Sequence, residues 1–284
     1  MNVALPTDRD LVSVEQLADR VLAGSPGQPM RAVGASAGAT ALIVRRLTKA
    51  SPRPVVAVAP TLERAHALVG DLTFVLDPGA RVRLFDPGEQ SPYADAVPDR
   101  RAAQRRLATL FELTRLSEEP AAVVIPAPAL ARKVVPKVRV RARSLLLEIA
   151  VEIERDELVR KLSDGGYLRV PLVEDPGTFS VRGALLDVWA PGSPDPVRIE
   201  LDGDLVASMK AFDPDDQRSK DELDRLHLPP AREAGFDDES LDLARDRLRD
   251  LCDAVNYPST KTRALIEDLL LGRAVFGAEG FLPA

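Results

Sequence analysis

The segment of this chain best placed to do chemistry is a loop of small residues at positions 33–40, Val-Gly-Ala-Ser-Ala-Gly-Ala-Thr. It precedes an apolar-periodic stretch, where the amides of a helix N-terminus could cradle phosphate as a P-loop does. A working P-loop also needs a lysine for the β- and γ-phosphates, and Ala39 stands in its place. Val33 replaces the first glycine, and only Thr40 matches the hydroxyl that holds magnesium. We therefore predict a degenerate P-loop that binds no nucleotide.

The same loop, Gly34-Ala35-Ser36-Ala37-Gly38, matches the G-x-S-x-G pattern of a serine nucleophile. Such a serine needs a histidine base that follows it and an acid in the chain, which leaves only His227. Leu226 and Leu228 flank that histidine, which favours a packed position. Small residues that let a helix pack closely on a sheet explain the loop more simply. A serine hydrolase and an NTPase remain the enzymatic alternatives.

Cofactor and metal sites find little support in the sequence. The chain has one cysteine, Cys252, and two histidines, His66 and His227. An intramolecular disulfide and a zinc site of cysteines and histidines are therefore excluded. No carboxylate pair stands out from the acids that cap helices or lie in loops. We expect no metal, no cofactor and no catalytic residue.

The charge balance argues against general binding of nucleic acid. Lys and Arg number 38 against 44 Asp and Glu, a net charge of −6. No overall positive field therefore attracts a phosphate backbone. Residues 132–143 hold six basic side chains, which we interpret as a linker or exposed strand, with a local phosphate contact as the alternative. The sequence shows neither a signal peptide nor a membrane span, so we expect a cytoplasmic protein.

The elements that must position these residues fall into two kinds. From residue 28 to about 133, short β-branched runs alternate with helical stretches, which predicts parallel α/β units. The predicted strands are residues 30–33, 55–59, 82–85 and 122–125. Beyond them we predict a small α+β unit with a helix over 156–163 and strands over 167–172, 178–182, 197–201 and 205–210, the last two joined by a turn at Asp202-Gly203. A final helix is predicted to bury Leu241, Ala244, Leu248, Leu251 and Val255.

The strands of the second part carry the most informative side chains. Alternation in residues 197–201 places Arg198 and Glu200 on one face of the sheet and the aliphatic residues on the other. Arg182 likewise faces away from the core side chain of Val181. Two arginines on an open sheet face suit acidic partners and protein interfaces, although a merely solvated face fits the pattern too.

Several motifs in this part carry a family resemblance. They are Phe-Ser-Val-Arg-Gly-Ala-Leu-Leu-Asp-Val-Trp at 179–189, Pro-Gly-Ser at 191–193, Val-Arg-Ile-Glu at 197–200 and Phe-Asp-Pro-Asp-Asp-Gln-Arg-Ser at 212–219. Together with Pro92-Tyr93, Gly166-Tyr167 and residues 276–281, they resemble the N-terminal module of the bacterial transcription-repair coupling factors, the Mfd family. That module is similar to the excision-repair protein UvrB. The resemblance implies a degenerate RecA-like, parallel α/β domain split in sequence (residues 1–140 and 229–284), with an inserted α+β domain (141–228).

The resemblance also implies a function. The inserted domain is expected to dock UvrA through Arg182, Arg198, Glu200 and Asp202, and so to recruit UvrA to stalled transcription complexes in transcription-coupled nucleotide excision repair. Asp202 stands where the family commonly has an aromatic residue, so no aromatic contact is expected there. The aromatic hairpin with which UvrB probes damaged DNA has no room here. RNA polymerase and DNA are expected to bind modules that this chain stops short of, and a C-terminal domain to mask the UvrA face.

Overall fold

The computed structural model describes residues 12–25, 27, 29–87, 99–115, 121–131, 133–233 and 238–270. The chain divides into two units by its internal contacts. The first comprises Met1–Phe85 with Arg115–Ala131, and the second comprises Asp86–Thr114 with Arg132–Ala284. Parallel pairing dominates the first unit and antiparallel pairing the second, so the protein is a mixed α/β chain.

The first unit is built on a three-stranded parallel sheet. Its strands are β1 (Val55–Ala59), β2 (Val82–Leu84) and β3 (Ala122–Pro126), in the order β1-β3-β2. Its helices are α1 (Val14–Ala23), α2 (Ala37–Ala50) and α3 (Leu62–Val75), and a 3-10 helix spans Ala127–Ala131. The core forms where aliphatic side chains of α2 and α3 pack on those of β1 and β3. Parallel pairing and three of the four predicted strands are thereby confirmed.

The strand predicted at residues 30–33 is wrong. These residues form no strand, and the side chains of Met30 and Val33 are exposed. A β-branched run becomes a strand only where a neighbouring strand pairs with it and a packed layer covers its side chains. Since neither is seen for residues 30–33, the loop before α2 lacks the preceding strand that both a P-loop and a nucleophile elbow require.

The second unit contains a six-stranded sheet and a separate strand pair. Its helices are α4 (Arg100–Glu112), α5 (Lys137–Ala142), α6 (Arg155–Asp164), α7 (Asp238–Ala254) and α8 (Ser259–Leu270). Its strands are β4 (Leu145–Glu148), β5 (Leu168–Arg169), β6 (Thr178–Arg182), β7 (Leu185–Trp189), β8 (Val197–Asp202), β9 (Leu205–Phe212), β10 (Ser219–Glu222) and β11 (Arg225–Leu228). The large sheet has the order β10-β9-β8-β7-β6-β5, and β11 pairs with β4.

One face of the large sheet forms the core of this unit. Period-two alternation sends Phe179, Leu186, Ile199 and Met209 to that face, where all four are fully buried. The apolar side of α6 belongs to the same cluster. The opposite face of β6, β7 and β8 therefore carries the alternate, mostly polar residues.

Half of the basic segment at residues 132–143 forms a helix, whereas a linker or an exposed strand was predicted. Residues 137–142 form α5, and Val140 is buried with Leu107 and Phe111 of α4. Val138 and Val140 would share one face of a strand, but Val140 is buried while Val138 is exposed, which fits a helical turn. Residue 132 lies outside the described residues.

Two strand predictions in the second unit need correction. Only Leu168–Arg169 of the predicted strand 167–172 forms β5, which pairs in parallel with β6. Tyr167 lies outside this strand and is buried in the core. The hairpin between β8 and β9 turns at residues 203–204, one position later than predicted, since Asp202 still pairs with Leu205. Gly203 has a φ of 62°, which glycine adopts without steric cost.

The helix predicted to bury Leu241 to Val255 is confirmed as α7, but its predicted apolar face is only partly correct. Ala244 and Cys252 are buried, whereas Leu251 and Val255 are exposed. Positions 244, 248 and 252 are four residues apart and share one helix face, which leaves Leu251 and Val255 to its side. Cys252 is a buried free thiol. The side chain of Leu241 lies outside the described residues.

Candidate protein-binding face

The candidate site lies on the polar face of the six-stranded sheet. Strand pairing sets Asp187 of β7 directly opposite Arg198 of β8 on one side and Ser180 of β6 on the other. Arg182 lies two residues further along β6 on the same face. The register therefore brings both predicted arginines to one carboxylate.

Asp187 holds both arginines. Arg198 donates from Nε to Asp187 Oδ1 at 2.7 Å and from Nη2 to Oδ2 at 3.0 Å. Arg182 donates from its own Nη2 to the same Oδ2. A planar guanidinium held by two parallel hydrogen bonds keeps a fixed orientation. The two cationic groups therefore form one preorganised pair.

Burial differs sharply among these three side chains. Asp187 is 1% exposed, Arg198 is 22% exposed and Arg182 is 47% exposed. The hydrogen bonds to Asp187 raise the pKa of Arg198 above its ordinary value. The sequence prediction that both arginines stand on one face is confirmed, but the expectation that both simply point to solvent is wrong, because Arg198 neutralises a buried carboxylate.

Arg198 is fixed by two further contacts. Its guanidinium lies 4.6 Å from the centre of the Phe212 ring, within cation–π distance. Its Nη2 also donates to Gln217 Oε1 at 3.2 Å, while Gln217 Nε2 donates to the carbonyl of Pro214 at 2.9 Å. Gln217 has a φ of 62°, an uncommon backbone conformation for a non-glycine residue. A strained backbone conformation persists where the surrounding contacts fix it.

Acidic and basic side chains surround the arginine pair. Glu200 and Asp202 are exposed on the same face of β8, and Ser208 donates to Glu200 at 3.2 Å. Lys210 pairs with Glu222 at 3.0 Å, and Lys220 bridges Asp195 at 2.8 Å and Asp213 at 3.1 Å. Exposed charges of both signs around oriented arginines suit a polar contact with another protein.

Comparison with known proteins matches the same region to a known family. The family model described as the UvrB interaction domain matches residues 145–233, which contain the whole arginine pair and its surroundings. Over 262 residues the chain is 40% identical to the transcription-repair-coupling factor of Myxococcus xanthus, covering 90% of this chain and 22% of the relative. The chain belongs to the transcription-repair coupling factor family.

Other members of the family show the same partial coverage. The Bacillus subtilis factor is 32% identical over 203 residues, 70% of this chain and 17% of the relative. The Escherichia coli factor is 29% identical over 229 residues, 80% of this chain and 20% of the relative. The chain thus spans about a fifth of the length of the coupling factors it matches. The resemblance seen in the sequence motifs is confirmed.

Sequence reasoning missed Asp187 as a member of the site. The signal was present, because Asp187 alternates with the buried Leu186 and Val188 in β7 and must face the side opposite to them. Its contact with Arg198 depends on the strand register, which alternation alone does not supply. An acid at the centre of a strand otherwise rich in apolar residues was the available clue.

The loop of small residues before α2 has a local structural role. Ser36 is the N-cap of α2, and its hydroxyl accepts a hydrogen bond from the Ala39 amide at 3.2 Å. The Thr40 hydroxyl donates to the Ser36 carbonyl at 3.0 Å. Both hydroxyls proposed for chemistry are therefore engaged in capping. His227, the only candidate base, lies in β11 with its ring 6.0 Å from that of Phe111.

Neither a metal-binding cluster nor a membrane-spanning helix is found among the residues that the structure describes. They contain no group of three or more His, Cys, Asp or Glu side chains able to hold a metal ion. None of the described helices is long and apolar enough to cross a membrane. Pro92-Tyr93 and residues 276–281, which contributed to the family resemblance, lie outside the described residues.

Proposed function

We propose that this chain is a non-catalytic, protein-binding module of a transcription-repair coupling factor that recruits UvrA in transcription-coupled nucleotide excision repair. The observation that carries the proposal is the pair Arg182 and Arg198, oriented by buried Asp187 inside the region that matches the UvrB interaction domain. The resemblance to the UvrB-like module supplies the partner. Arg182, Arg198, Glu200 and Asp202 are the proposed contact residues.

The chemistry of the face favours binding over catalysis. Arginine is enriched at protein interfaces because its planar group pairs with carboxylates and stacks on aromatic rings. Here the orientation of Arg198 is fixed before any partner arrives, so less conformational entropy is lost on binding. The exposed acids Glu200 and Asp202 add charges that a partner must match, which contributes specificity.

We further propose that the first unit is a degenerate RecA-like domain and that the UvrA-docking domain is inserted into it. The parallel order β1-β3-β2 and the uncharged loop before α2 support this assignment. Domain limits of 1–140, 141–228 and 229–284 remain our proposal. In the whole coupling factor, we expect RNA polymerase and DNA to bind other modules and a C-terminal domain to mask the UvrA face.

The proposal is tested by measuring binding of the purified chain to purified UvrA by biolayer interferometry. We expect Arg182→Gln to weaken binding by about tenfold or more, because an interface arginine is removed while Arg198 still neutralises Asp187. Glu200→Lys should also weaken binding, and its exposed position should leave folding unchanged. Arg218→Gln is the matched control, since the Arg218 side chain is 86% exposed and forms an ion pair with neighbouring Asp216.

Two results would reject parts of this proposal. If the parent chain shows no UvrA binding, the assigned function fails. If the parent binds and both Arg182→Gln and Glu200→Lys bind as tightly as Arg218→Gln, the partner is right and the assigned face is wrong. Circular dichroism of each variant confirms that the fold is retained.

A further inference from the structure

A second cluster of arginines lies away from the sheet face, within the second unit. Arg100 is the first residue of α4, Arg143 directly follows α5, and Arg232 follows β11 by four residues. All three are partly buried. Three elements distant in sequence thus bring three guanidinium groups to one region.

Two of these arginines, Arg100 and Arg143, are held by backbone carbonyls and not by carboxylates. Arg100 donates to the Gly177 carbonyl. Arg143 donates from Nη2 to the Asp164 carbonyl at 2.7 Å and from Nη1 to the Arg232 carbonyl at 3.4 Å. The guanidinium of Arg232 makes no hydrogen bond or ion pair with any residue that the structure describes. A partly buried cation without a partner is costly and calls for an explanation.

The charges in the cluster repel one another. Burial lowers the pKa of Arg100, Arg143 and Arg232, and the charge of Arg232 lowers that of Arg143 further. Arg100 in turn lowers the pKa of Arg232. Two acids lie nearby and oppose this effect, Asp175 for Arg100 and Asp164 for Arg143. Asp175 is also the ion-pair partner of Arg101, so an excess of positive charge remains.

Two glycines allow the backbone segments of the cluster to approach closely. A Cβ atom on Gly166 would lie 2.5 Å from Arg232 Cβ, and one on Gly177 would lie 3.1 Å from Ala231 Cβ. Both glycines have positive φ angles, 87° and 71°. The Gly177 loop, which accepts from Arg100, therefore packs directly against the segment that carries Arg232.

An unused donor lies beside the same loop. Gln104, one helical turn after Arg100 in α4, is buried, and its Nε2 has no hydrogen-bond partner. This nitrogen would lie 2.1 Å from a Cβ on Gly177. Buried side-chain donors are nearly always paired in folded proteins. The unpaired amide is thus a second indication that a ligand with acceptor oxygens belongs in this region.

We propose that Arg100, Arg143 and Arg232 form a binding site for a single phosphate group, bordered by Gln104. A phosphate dianion offers oxygens to several guanidinium forks at once and would relieve their mutual repulsion. The partly buried position suits one compact anion and not the extended phosphate row of a duplex, which a chain of net charge −6 attracts poorly. The site is separate from the proposed UvrA face and does not depend on it.

The test uses inorganic phosphate and the whole chain. At constant ionic strength, phosphate replacing chloride is expected to raise the melting temperature with the logarithm of its concentration, by about 3–5 °C at roughly a hundred times the dissociation constant. Arg232→Gln should abolish this response. Because its guanidinium is unpaired, the same substitution should leave the melting temperature in phosphate-free buffer unchanged or higher, which a merely structural arginine would not do. Arg218→Gln should keep the parent's phosphate response.

Two further ligands identify the source of the phosphate. Single-stranded oligonucleotides with and without a 5′-phosphate are compared by isothermal titration. Tighter binding of the phosphorylated strand, lost in Arg232→Gln, assigns the site to a strand end, whereas binding of inorganic phosphate alone assigns it to a free phosphate. A melting temperature that phosphate does not raise in the parent chain, or a phosphate response that persists in Arg232→Gln, would overturn the proposal.

Discussion

Arg198 and Asp187 face each other across β7 and β8 and form two hydrogen bonds, Nε to Oδ1 at 2.7 Å and Nη2 to Oδ2 at 3.0 Å. The carboxylate is almost fully buried, while the arginine remains partly exposed. The ion pair therefore connects the interior of the sheet to its polar face. Any change of Asp187 should affect both the stability of the fold and the arrangement of the binding surface.

Replacing Asp187 by Asn tests this connection. The amide keeps the size of the side chain but removes the negative charge that holds Arg182 and Arg198. We expect a loss of about 2 kcal/mol in the free energy of unfolding, below the usual cost of breaking a fully buried pair, because water can still solvate both arginines. We also expect UvrA binding to weaken about tenfold, although Asp187 itself reaches no partner. Urea denaturation and biolayer interferometry give the two quantities.

Ser180→Ala is the matched control for that substitution. Ser180 lies opposite Asp187 on β6, and its buried hydroxyl has no hydrogen-bond partner. Its removal should change the free energy of unfolding by no more than about 0.5 kcal/mol. Equal effects of Ser180→Ala and Asp187→Asn on UvrA binding would show that Asp187 does not position the arginines.

Tyr167 predicts how stability changes at high pH. Its hydroxyl donates to the Pro229 carbonyl at 2.7 Å, and complete burial raises the pKa of Tyr167 well above 10. The folded state therefore holds this proton more tightly than the unfolded state does. The resulting stability is fully present below the unfolded pKa of about 10 and is lost as the pH rises above it, by at most about 1.4 kcal/mol per pH unit.

Absorbance and unfolding experiments check this prediction. At 295 nm, one of the three tyrosines should ionise only as the protein unfolds. Tyr167→Phe should remove that contribution to alkaline unfolding and cost about 1–2 kcal/mol at neutral pH, because the Pro229 carbonyl loses its donor. Tyr257→Phe, a change at a partly exposed ring, is the control. Reversible ionisation of all three tyrosines in the folded protein would contradict the burial of Tyr167.

The buried ion pair of Arg106 with Glu233 leads to a prediction about stability. A single substitution should lower the free energy of unfolding more than the double substitution does. Arg106 donates from Nε and Nη2 to the two carboxylate oxygens, and the side chains are only 7% and 9% exposed. Glu233→Gln should cost about 3 kcal/mol, because the buried guanidinium loses the carboxylate that accepts two of its hydrogen bonds. The double change Arg106→Met with Glu233→Leu should recover most of that loss.

Chemical denaturation of Glu233→Gln and of the double variant measures the two changes in the free energy of unfolding. Lys161→Gln, which breaks the exposed pair of Lys161 with Glu157, serves as the control and should cost less than about 0.5 kcal/mol. A cost for Glu233→Gln as small as that of the control would show that the Arg106 pair is solvated in solution.

Strands β6, β8 and β9 of the second unit were predictable because their signal is local. Alternation in β6 and β8 requires only that one face be buried, and it placed Arg182 and Arg198 correctly. The N-cap of α3 is equally local, since the Thr61 hydroxyl accepts a hydrogen bond from the Arg64 amide within the same helical turn. Both features depend on residues within one element.

The contacts that define the two arginine groups were not predictable, because they depend on how distant elements meet. Asp187 contacts Arg198 through the register of two strands. Arg100, Arg143 and Arg232 come together only because glycines allow the loops around Gly166 and Gly177 to approach. The strand predicted at residues 30–33 is wrong for the opposite reason. These residues have local β-propensity, but no neighbouring strand pairs with them.

The loop before α2 gives a final prediction, that Ser36 and Thr40 support a helix end and no reaction. Because Ala39 stands where a P-loop has its lysine, no lysine can neutralise a bound phosphate. Both hydroxyls form hydrogen bonds at the start of α2. Isothermal titration with ATP and magnesium should show no binding, and a fluorophosphonate probe should not label Ser36. Ser36→Ala should cost about 1 kcal/mol of stability, whereas Ser36→Asp should cost little, because aspartate caps a helix equally well and interacts favourably with its dipole. Micromolar ATP binding would restore the NTPase alternative, and covalent labelling that disappears in Ser36→Asp would restore the hydrolase.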